Sequence, residues 1–217
     1  MKTLIGIAGC HEYRARADAQ RMTWMKDVGS LADVRFFLGT PHSGKQSADE
    51  IWLECPDNYV ERKQKVIAII RWALEKDYDY LWKVDDDVYL RPDRLLSLEH
   101  YDYCGAIVGD DRVFSGAIYG LSRDSMNKLL TSDTADWQRY EDIWVWHRLS
   151  EFSVSPSNMG GPEKVNGRFR MTASKRKRVR VKQEPPHPNN DVIASWEHET
   201  LVEMQQIHAN FESPASV

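Results

Sequence analysis

Three consecutive aspartates, Asp85, Asp86 and Asp87, follow directly on the apolar run YLWKV at residues 80–84. Adjacent carboxylates repel one another, so the cluster is unfavourable unless a positive partner relieves it. On a continuing strand, Asp85 and Asp87 share one side and Asp86 takes the other. Because open α/β sheets bind their ligands at the carboxyl ends of strands, the cluster favours a site for a divalent cation and the phosphates it binds. An acidic loop before the next helix is the alternative.

Short apolar runs alternate with amphipathic segments along the first 150 residues. The predicted strands are residues 3–9, 33–38, 51–55, 80–84, 103–109 and 114–121. The predicted helices are residues 14–28, 59–76, 94–96, 122–130 and 141–149. Alternation of this kind predicts a single-domain α/β fold, a mostly parallel sheet with helices on both faces. A length of 217 residues fits one domain with, at most, a small appendage.

The amino-acid composition of the chain changes after residue 150. Residues 155–163 (SPSNMGGPE) predict a loop or lid, and residues 168–182 carry eight Lys and Arg with no acid. Since the chain has a net charge of −4, the remainder carries −12. Within the basic stretch, residues 178–182 alternate between basic residues and valine, a pattern that predicts an edge strand. Residues 192–194 predict a short strand, and a helical stripe of apolar residues follows it.

These patterns divide the chain into a core (residues 1–150), a loop or lid with the basic segment (151–190) and a C-terminal segment (191–217). For the basic segment three interpretations stay open. It is a solvated loop, a surface that holds an anionic acceptor, or a nucleic-acid contact.

Cys10, Cys55 and Cys104 are odd in number and widely spaced, without a metal-binding pattern. They predict reduced, buried thiols and a reducing compartment. No run approaches the ~20 apolar residues that span a bilayer, and the first residues lack the features of a signal peptide. The sequence therefore predicts a cytoplasmic protein without a membrane span.

Several segments occur in an order that is known from one enzyme family. They are Arg16 with RMTW at 21–24, FLG at 37–39, the D-x-Y-x₅-K spacing of Asp57, Tyr59 and Lys65, WKVDDDVY at 82–89, Ser115–Gly116 with Tyr119, Glu141–Asp142, and VI at 192–193 with His198 and EM at 203–204. With these the chain resembles the β1,3-galactosyltransferase and Fringe-type glycosyltransferases, an inverting group (family 31) with the GT-A fold, which is Rossmann-like. The likeness covers about residues 3–150 and 191–211.

The resemblance implies roles for individual residues. Asp87 is expected to be a ligand of Mn²⁺, with Mg²⁺ as the alternative ion, and His198 the second protein ligand, with His187 as the fallback. Asp142 is the expected catalytic base. The expected donor-binding residues are Arg16, Arg21, Lys65, Lys83, Asp85 and Asp86. The family usually has Gly a few residues after its Glu-Asp pair, whereas Trp146 and His147 stand here. The acceptor pocket is therefore expected to differ.

Residue-level reasoning alone leaves plainer interpretations of the same positions. Glu141–Asp142 also suits the acidic first turn of a helix, and Arg16, Arg21 and Lys65 suit exposed helix faces. Trp24 is expected in the core. Of Trp144 and Trp146, one is expected to face inward.

Together these observations predict a metal-dependent inverting glycosyltransferase. It moves a hexose or N-acetylhexosamine from a UDP-sugar to a hydroxyl of a glycan, a lipid-linked or another acceptor, which the basic segment suggests is anionic. The main alternative is a nucleic-acid-binding or nucleic-acid-modifying protein that uses residues 168–182. A family member that binds without turnover is a third reading.

Overall fold

The computed structural model describes residues 1–40, 44–58, 60–105, 116–131, 140–159, 162–165, 168–172, 192–195 and 201–212. Within them, eleven strands are formed: β1 (Thr3–Ala8), β2 (Asp33–Thr40), β3 (Glu50–Pro56), β4 (Tyr80–Asp85), β5 (Tyr89–Leu90), β6 (Tyr103–Gly105), β7 (Ile118–Ser122), β8 (Ser157–Asn158), β9 (Pro162–Val165), β10 (Arg168–Thr172) and β11 (Val192–Ser195). The α-helices are α1 (Arg14–Met22), α2 (Arg62–Glu75), α3 (Pro92–Leu95), α4 (Arg123–Thr131), α5 (Glu141–Glu151) and α6 (Leu201–Glu212).

Seven strands form the main sheet in the order β3-β2-β1-β4-β7-β6-β8. Strands β3, β2, β1 and β4 are parallel, and β7 is antiparallel to both of its neighbours. Ala8 at the end of β1 lies opposite Asp85 at the end of β4. Consecutive strands extend from β1 in one direction and return to its other side at β4. The gap between β1 and β4 is therefore the switch point at which open α/β sheets bind ligands.

Two apolar layers cover the main sheet, which confirms the predicted α/β fold with helices on both faces. One layer contains side chains of α1, α3 and α6 together with Trp24, and the other contains side chains of α2, α4 and α5. Trp24, Trp82 and Trp144 are fully buried. Trp146 is partly buried against the second layer, so the expected inward-facing residue of the Trp144 and Trp146 pair is Trp144.

A second, antiparallel sheet has the order β5-β11-β10-β9. The sequence predicts a loop over residues 155–163, and there the structure instead forms β8 and the start of β9. The first five residues of the basic stretch form β10. The expected strand at residues 178–182 lies outside the described residues. A strand as short as β8 depends on its pairing with the distant β6, so the local sequence carries little signal for it.

The predicted helix over residues 14–28 is interrupted. Helix α1 ends at Met22, and a short 3₁₀ helix (Trp24–Asp27) follows. The hydroxyl of Thr23 donates a hydrogen bond to the carbonyl of Ala19 (2.7 Å), and a Thr side chain bonded to the backbone in this way competes with continued helix.

The three cysteines are free thiols, and Cys55 and Cys104 are buried while Cys10 is half-buried. The predicted reduced state fits this arrangement. None of the helices in the described part of the chain combines the length and the apolar character that crossing a bilayer requires.

Candidate active site

A cavity of about 530 Å³ opens between the ends of β1 and β4. Its walls come from the chain after β1, the first turns of α1 and α2, and the turn after β4. Among the lining residues are Gly9, Cys10, Arg16, Arg62, Asp86 and Asp87. The cavity lies at the switch point and carries charges of both signs, so its position and chemistry suit an anionic ligand with a cation.

The three aspartates do not alternate between the two faces of the sheet, as they would on a continuous strand. Strand β4 ends at Asp85, and the chain turns at Asp86 and Asp87, which both line the cavity. The prediction that Asp85 and Asp87 share one side is therefore wrong, because the strand stops before the second carboxylate. Asp85 contacts the ammonium of Lys83 (2.6 Å) and Nη1 of Arg62 (3.4 Å).

Asp86 is almost fully buried and pairs with Nη1 of Arg16 (3.1 Å). Burial raises the pKa of Asp86 to about 6, and repulsion from Asp85 and Asp87 acts in the same direction, while Arg16 opposes the rise. Burial likewise raises the pKa of Asp87, again with repulsion from Asp85. Both carboxyl groups hold a proton more readily than an ordinary aspartate, which means that a bound cation would stabilise their charged forms.

Gln20 fixes the shape of the carboxylate turn. Its side-chain amide is fully buried and donates to the carbonyls of Asp86 (3.1 Å) and Val88 (2.9 Å). The indole of Trp24 donates to the same Val88 carbonyl (3.2 Å). Sequence reasoning missed Gln20, since a glutamine within an amphipathic helix carries no signal that distinguishes it from a solvated one. Trp24 is a core residue, as expected.

Asp57 and Lys65 form a buried ion pair at the edge of the cavity (2.5 Å). The Lys65 ammonium also donates to the carbonyl of Gly9 (2.5 Å), and Asp57 accepts from the amides of His11 (2.7 Å) and Gly39 (2.8 Å). The pair thus ties together the ends of β1, β2 and β3. Burial alone raises the pKa of Asp57, but the bonds from His11, Lys65 and Gly39 bring it below its ordinary value.

Arg21 and Lys83 are not on the cavity wall. Arg21 pairs with Asp49 (2.8 Å) and Glu50 (3.1 Å) at the start of β3. Lys83 is fully buried, and its ammonium is surrounded by protein groups. The structure therefore does not bring these two residues to the place where a direct donor contact was expected. Of the expected donor-binding residues, it brings Arg16, Lys65 and Asp86 to the cavity, and it adds Arg62.

Asp142 lies in the first turn of α5, beside the buried Glu141. Burial raises the pKa of Asp142, against a bond from the amide of Ile143 and the charge of Lys83. A Cβ placed on Gly116 would come within 3.3 Å of Glu141 Oε2 and 3.5 Å of Asp142 Oδ2. Both carboxylates therefore lie over Gly116, and an elevated pKa suits a group that accepts a proton.

The described residues contain no group of three His, Cys, Asp or Glu side chains arranged to hold a metal ion. His198 and its alternative His187 lie outside the described residues, as do Tyr59 and Ser115 of the family motifs. Asp86 and Asp87 nevertheless place adjacent carboxylates of raised pKa in the cavity wall. These oxygens fit a hard divalent cation that completes its shell with phosphate oxygens and water.

Comparison with known proteins gives three findings. Residues 15–104 match the family model described as Galactosyltransferase. A probable β-1,3-galactosyltransferase 12 of Arabidopsis thaliana is 31% identical over 114 residues, and the match covers 43% of this chain and 31% of that protein. Among solved structures, the apo form of the glycosyltransferase GlyE from Streptococcus pneumoniae TIGR4 is similar at a TM-score of 0.47 and 14% identity, over 73% of this chain and 46% of that one.

The family resemblance is confirmed by the first two of these matches. The matched residues 15–104 include the cavity-lining Arg16, Arg62, Lys65, Asp86 and Asp87. Asp142 lies beyond the family match, so its assignment stays a prediction. This chain spans about a third of the length of the plant relative.

Proposed function

Because residues 15–104 carry the sequence pattern of the galactosyltransferase family, we propose that this chain is a metal-dependent inverting glycosyltransferase that uses a UDP-sugar donor. One observation carries the proposal. The part that matches the family contributes the adjacent carboxylates of Asp86 and Asp87 to the wall of a cavity of about 530 Å³ at the switch point of the sheet. The transferred sugar is a hexose or N-acetylhexosamine, and the acceptor is a hydroxyl of a glycan or of a lipid-linked or other molecule.

In this proposal the cavity holds the nucleotide diphosphate. Arg16 and Arg62 supply positive charge on the cavity wall, where it favours the binding of an anionic ligand. Asp86 accepts hydrogen bonds from the ribose, since a carboxylate offers acceptors only. Lys65 supports donor binding indirectly. It pairs with Asp57 and binds the carbonyl of Gly9, and it thereby holds the loop after β1 that forms part of the cavity wall.

Asp87 is the proposed protein ligand of a divalent cation, Mn²⁺ or Mg²⁺, with His198 as the second. When bound, such an ion neutralises charge on the leaving diphosphate. Asp87 supplies a hard oxygen ligand for this purpose. Its raised pKa reflects burial near Asp85 with too little positive charge to compensate, and this supports a cation at that position.

Asp142 is the proposed base that removes the proton of the acceptor hydroxyl as the new glycosidic bond forms. In an inverting transfer the base faces the anomeric carbon from the side opposite the diphosphate. Asp142 belongs to α5, whereas the cavity is built by β1, β4, α1 and α2. Donor binding and proton removal are thus assigned to separate elements of the fold.

Calorimetric titration of UDP into the protein, with Mn²⁺ and with EDTA, tests the donor site. We expect binding with Mn²⁺ and a dissociation constant at least tenfold weaker with EDTA, which corresponds to about 1.4 kcal/mol. Asp87→Ala is expected to abolish the difference between Mn²⁺ and EDTA. Asp124→Ala removes an exposed carboxylate from α4 and is expected to bind UDP as the wild type does.

If UDP binds neither with Mn²⁺ nor with EDTA, the proposed function is wrong. The alternative of nucleic-acid binding rests on residues 168–182, of which the structure describes 168–172 as strand β10. That alternative predicts binding of nucleic acid that weakens steeply as the salt concentration increases. Titrations of UDP and of nucleic acid into the same protein therefore distinguish the two hypotheses.

A further inference from the structure

Lys83 and Glu141 form a buried ion pair that no proposed step of donor binding uses. We infer that this pair is a positioning bridge, which holds the carboxylate of Asp142 in place and couples its charge to strand β4. The inference rests on the proposed role of Asp142 as the base. Lys83 and Glu141 are positioning residues in this account, because neither lines the cavity.

The ammonium of Lys83 contacts three different elements of the fold. It donates to Oδ1 of Asp85 at the end of β4 (2.6 Å), lies 2.9 Å from Oε1 of Glu141 in α5, and donates to the carbonyl of Gly116 just before β7. An ammonium has three protons, so these contacts use its full capacity. Lys83 is also completely buried, and its position is therefore fixed by protein groups alone.

Glu141 transmits this fixed position to helix α5. It is 4% exposed, and its Oε1 also accepts a hydrogen bond from the Tyr119 hydroxyl (3.3 Å). Asp142 is the next residue of the same helical turn, and both carboxylates approach Gly116, whose carbonyl binds Lys83. The helix that carries the proposed base is thus held at its first turn by one buried cation.

Stability alone gives a weak reason for such a pair. Burying two charges costs desolvation free energy, and apolar residues of similar volume are often as stable or more so. The apolar layer around α5, with the buried Trp144, Val145 and Leu149, already attaches the helix to the sheet. A buried ion pair at this end therefore suits a role for its charges.

The charges of the bridge act on Asp142 in opposite directions. Burial raises the pKa of Asp142, and Lys83 lowers it while Asp85 raises it. Glu141 is the neighbouring carboxyl group; burial raises its pKa, and repulsion between Glu141 and Asp142 opposes the ionisation of both groups. Among the residues that the structure describes, the phenol groups of Tyr103 in β6 and Tyr119 in β7 also face this region, and they are neutral because burial raises their pKa values well above the ordinary range.

Nuclear magnetic resonance of the side-chain carboxyl carbons tests the bridge without donor or acceptor. Protein labelled with ¹³C at the aspartate side-chain carboxyl groups is titrated with acid, and the Asp142 signal is identified by its loss in Asp142→Asn. We expect Lys83→Met to raise the pKa of Asp142 by about one unit, a tenfold change in proton affinity. Glu141→Gln is expected to lower it by about half a unit, roughly threefold.

Matched substitutions of residues away from the bridge provide the controls. Glu151→Gln makes the same change at the exposed far end of α5, and Lys128→Met removes a half-buried lysine of α4. Both are expected to leave the pKa of Asp142 within about 0.2 units of the wild-type value, because salt and water screen the effect of distant surface charges. Shifts of equal sign in Lys83→Met and Glu141→Gln, or no shift in either, overturn the bridge.

Lys83→Met leaves the buried carboxylate of Glu141 without its cation, so this variant risks unfolding. In that event Glu141→Gln decides alone, because glutamine keeps the shape and the acceptor oxygen while Lys83 stays paired with Asp85. An unchanged pKa of Asp142 in folded Glu141→Gln overturns the inference. If the pKa of Asp142 is unchanged but the protein binds UDP normally, the bridge is overturned and the proposed donor site is kept. If the two variants shift the pKa of Asp142 in opposite directions but the protein does not bind UDP, the bridge is supported and the proposed function is overturned.

Discussion

Replacement of Asp142 by asparagine is expected to lower turnover by about 10²–10⁴-fold, the usual contribution of a positioned proton acceptor. Asparagine keeps the size of the side chain and its bond to the Ile143 amide (2.9 Å), but it cannot accept a proton from the acceptor hydroxyl. The rate of UDP release from UDP-galactose and related UDP-sugars, with a panel of sugar acceptors, measures the loss. Because Asp142 does not line the donor cavity, the affinity for UDP is expected to stay within about twofold.

Asp124→Asn is the matched control, since it makes the same change at an exposed position in the first turn of α4. It is expected to leave turnover unchanged. If Asp142→Asn retains near-normal turnover, Asp142 is not the base. If the variant instead loses UDP binding together with turnover, the residue belongs to the donor site and the separation of roles proposed above is wrong.

Replacement of Asp57 by alanine is expected to lower the free energy of unfolding by about 3–5 kcal/mol, the usual cost of leaving one member of a buried ion pair alone. The change strands the buried ammonium of Lys65 and removes the acceptor of the His11 and Gly39 amides. For a chain of this size the melting temperature is expected to fall by roughly 6–20 °C. Chemical denaturation and calorimetry measure both quantities.

The effect of Asp57→Ala depends on pH in a definite direction. The pKa of Asp57 in the folded state lies below its ordinary value, so its charged form contributes stability above the unfolded pKa of about 3.9. That contribution is lost as pH falls through the folded pKa. The difference between wild type and Asp57→Ala is therefore expected to shrink below about pH 4. The pair of Lys128 with the exposed Asp124 provides the control, and Asp124→Ala is expected to cost less than about 1 kcal/mol.

The parts of the fold that sequence predicts best are those with a strong local pattern. Strands β1 to β4 read as compact apolar runs, and α2 shows apolar positions spaced as on one helix face, so each was identified within a few residues. In the second sheet only β11 carries such a signal, in the apolar residues 192–194. Its other strands, β5, β9 and β10, are short, and β5 pairs with β11 across a large sequence distance. Tertiary pairing decides such elements, and propensity does not.

The candidate site divides in the same way. The spacing of Asp57 and Lys65 predicts a site that the structure forms at the cavity, and of the Asp85–Asp87 cluster it brings Asp86 and Asp87 to the same cavity. Sequence alone does not distinguish a positive residue that faces a ligand from one that faces a carboxylate of the protein, and the structure pairs Arg21 and Lys83 with such carboxylates. Glu141 was noticed only as the neighbour of Asp142, and its pairing with Lys83 becomes visible only when β4 and α5 are adjacent in space.

Strand β5 directly follows the carboxylate turn, and its partners lie far along the chain. Tyr89 pairs with Ser195 through β11, and its hydroxyl bonds to Nδ1 of His208 (2.9 Å), 119 residues later. On a ribosome, at about 5–20 residues per second, the intervening stretch takes roughly 6–24 s to synthesise. During that interval β1 to β4 can assemble on a growing chain, while the support behind the turn is still to be made. The pairing of β5 with β11 behind the carboxylate turn is thus completed well after all of the residues that line the cavity have been made.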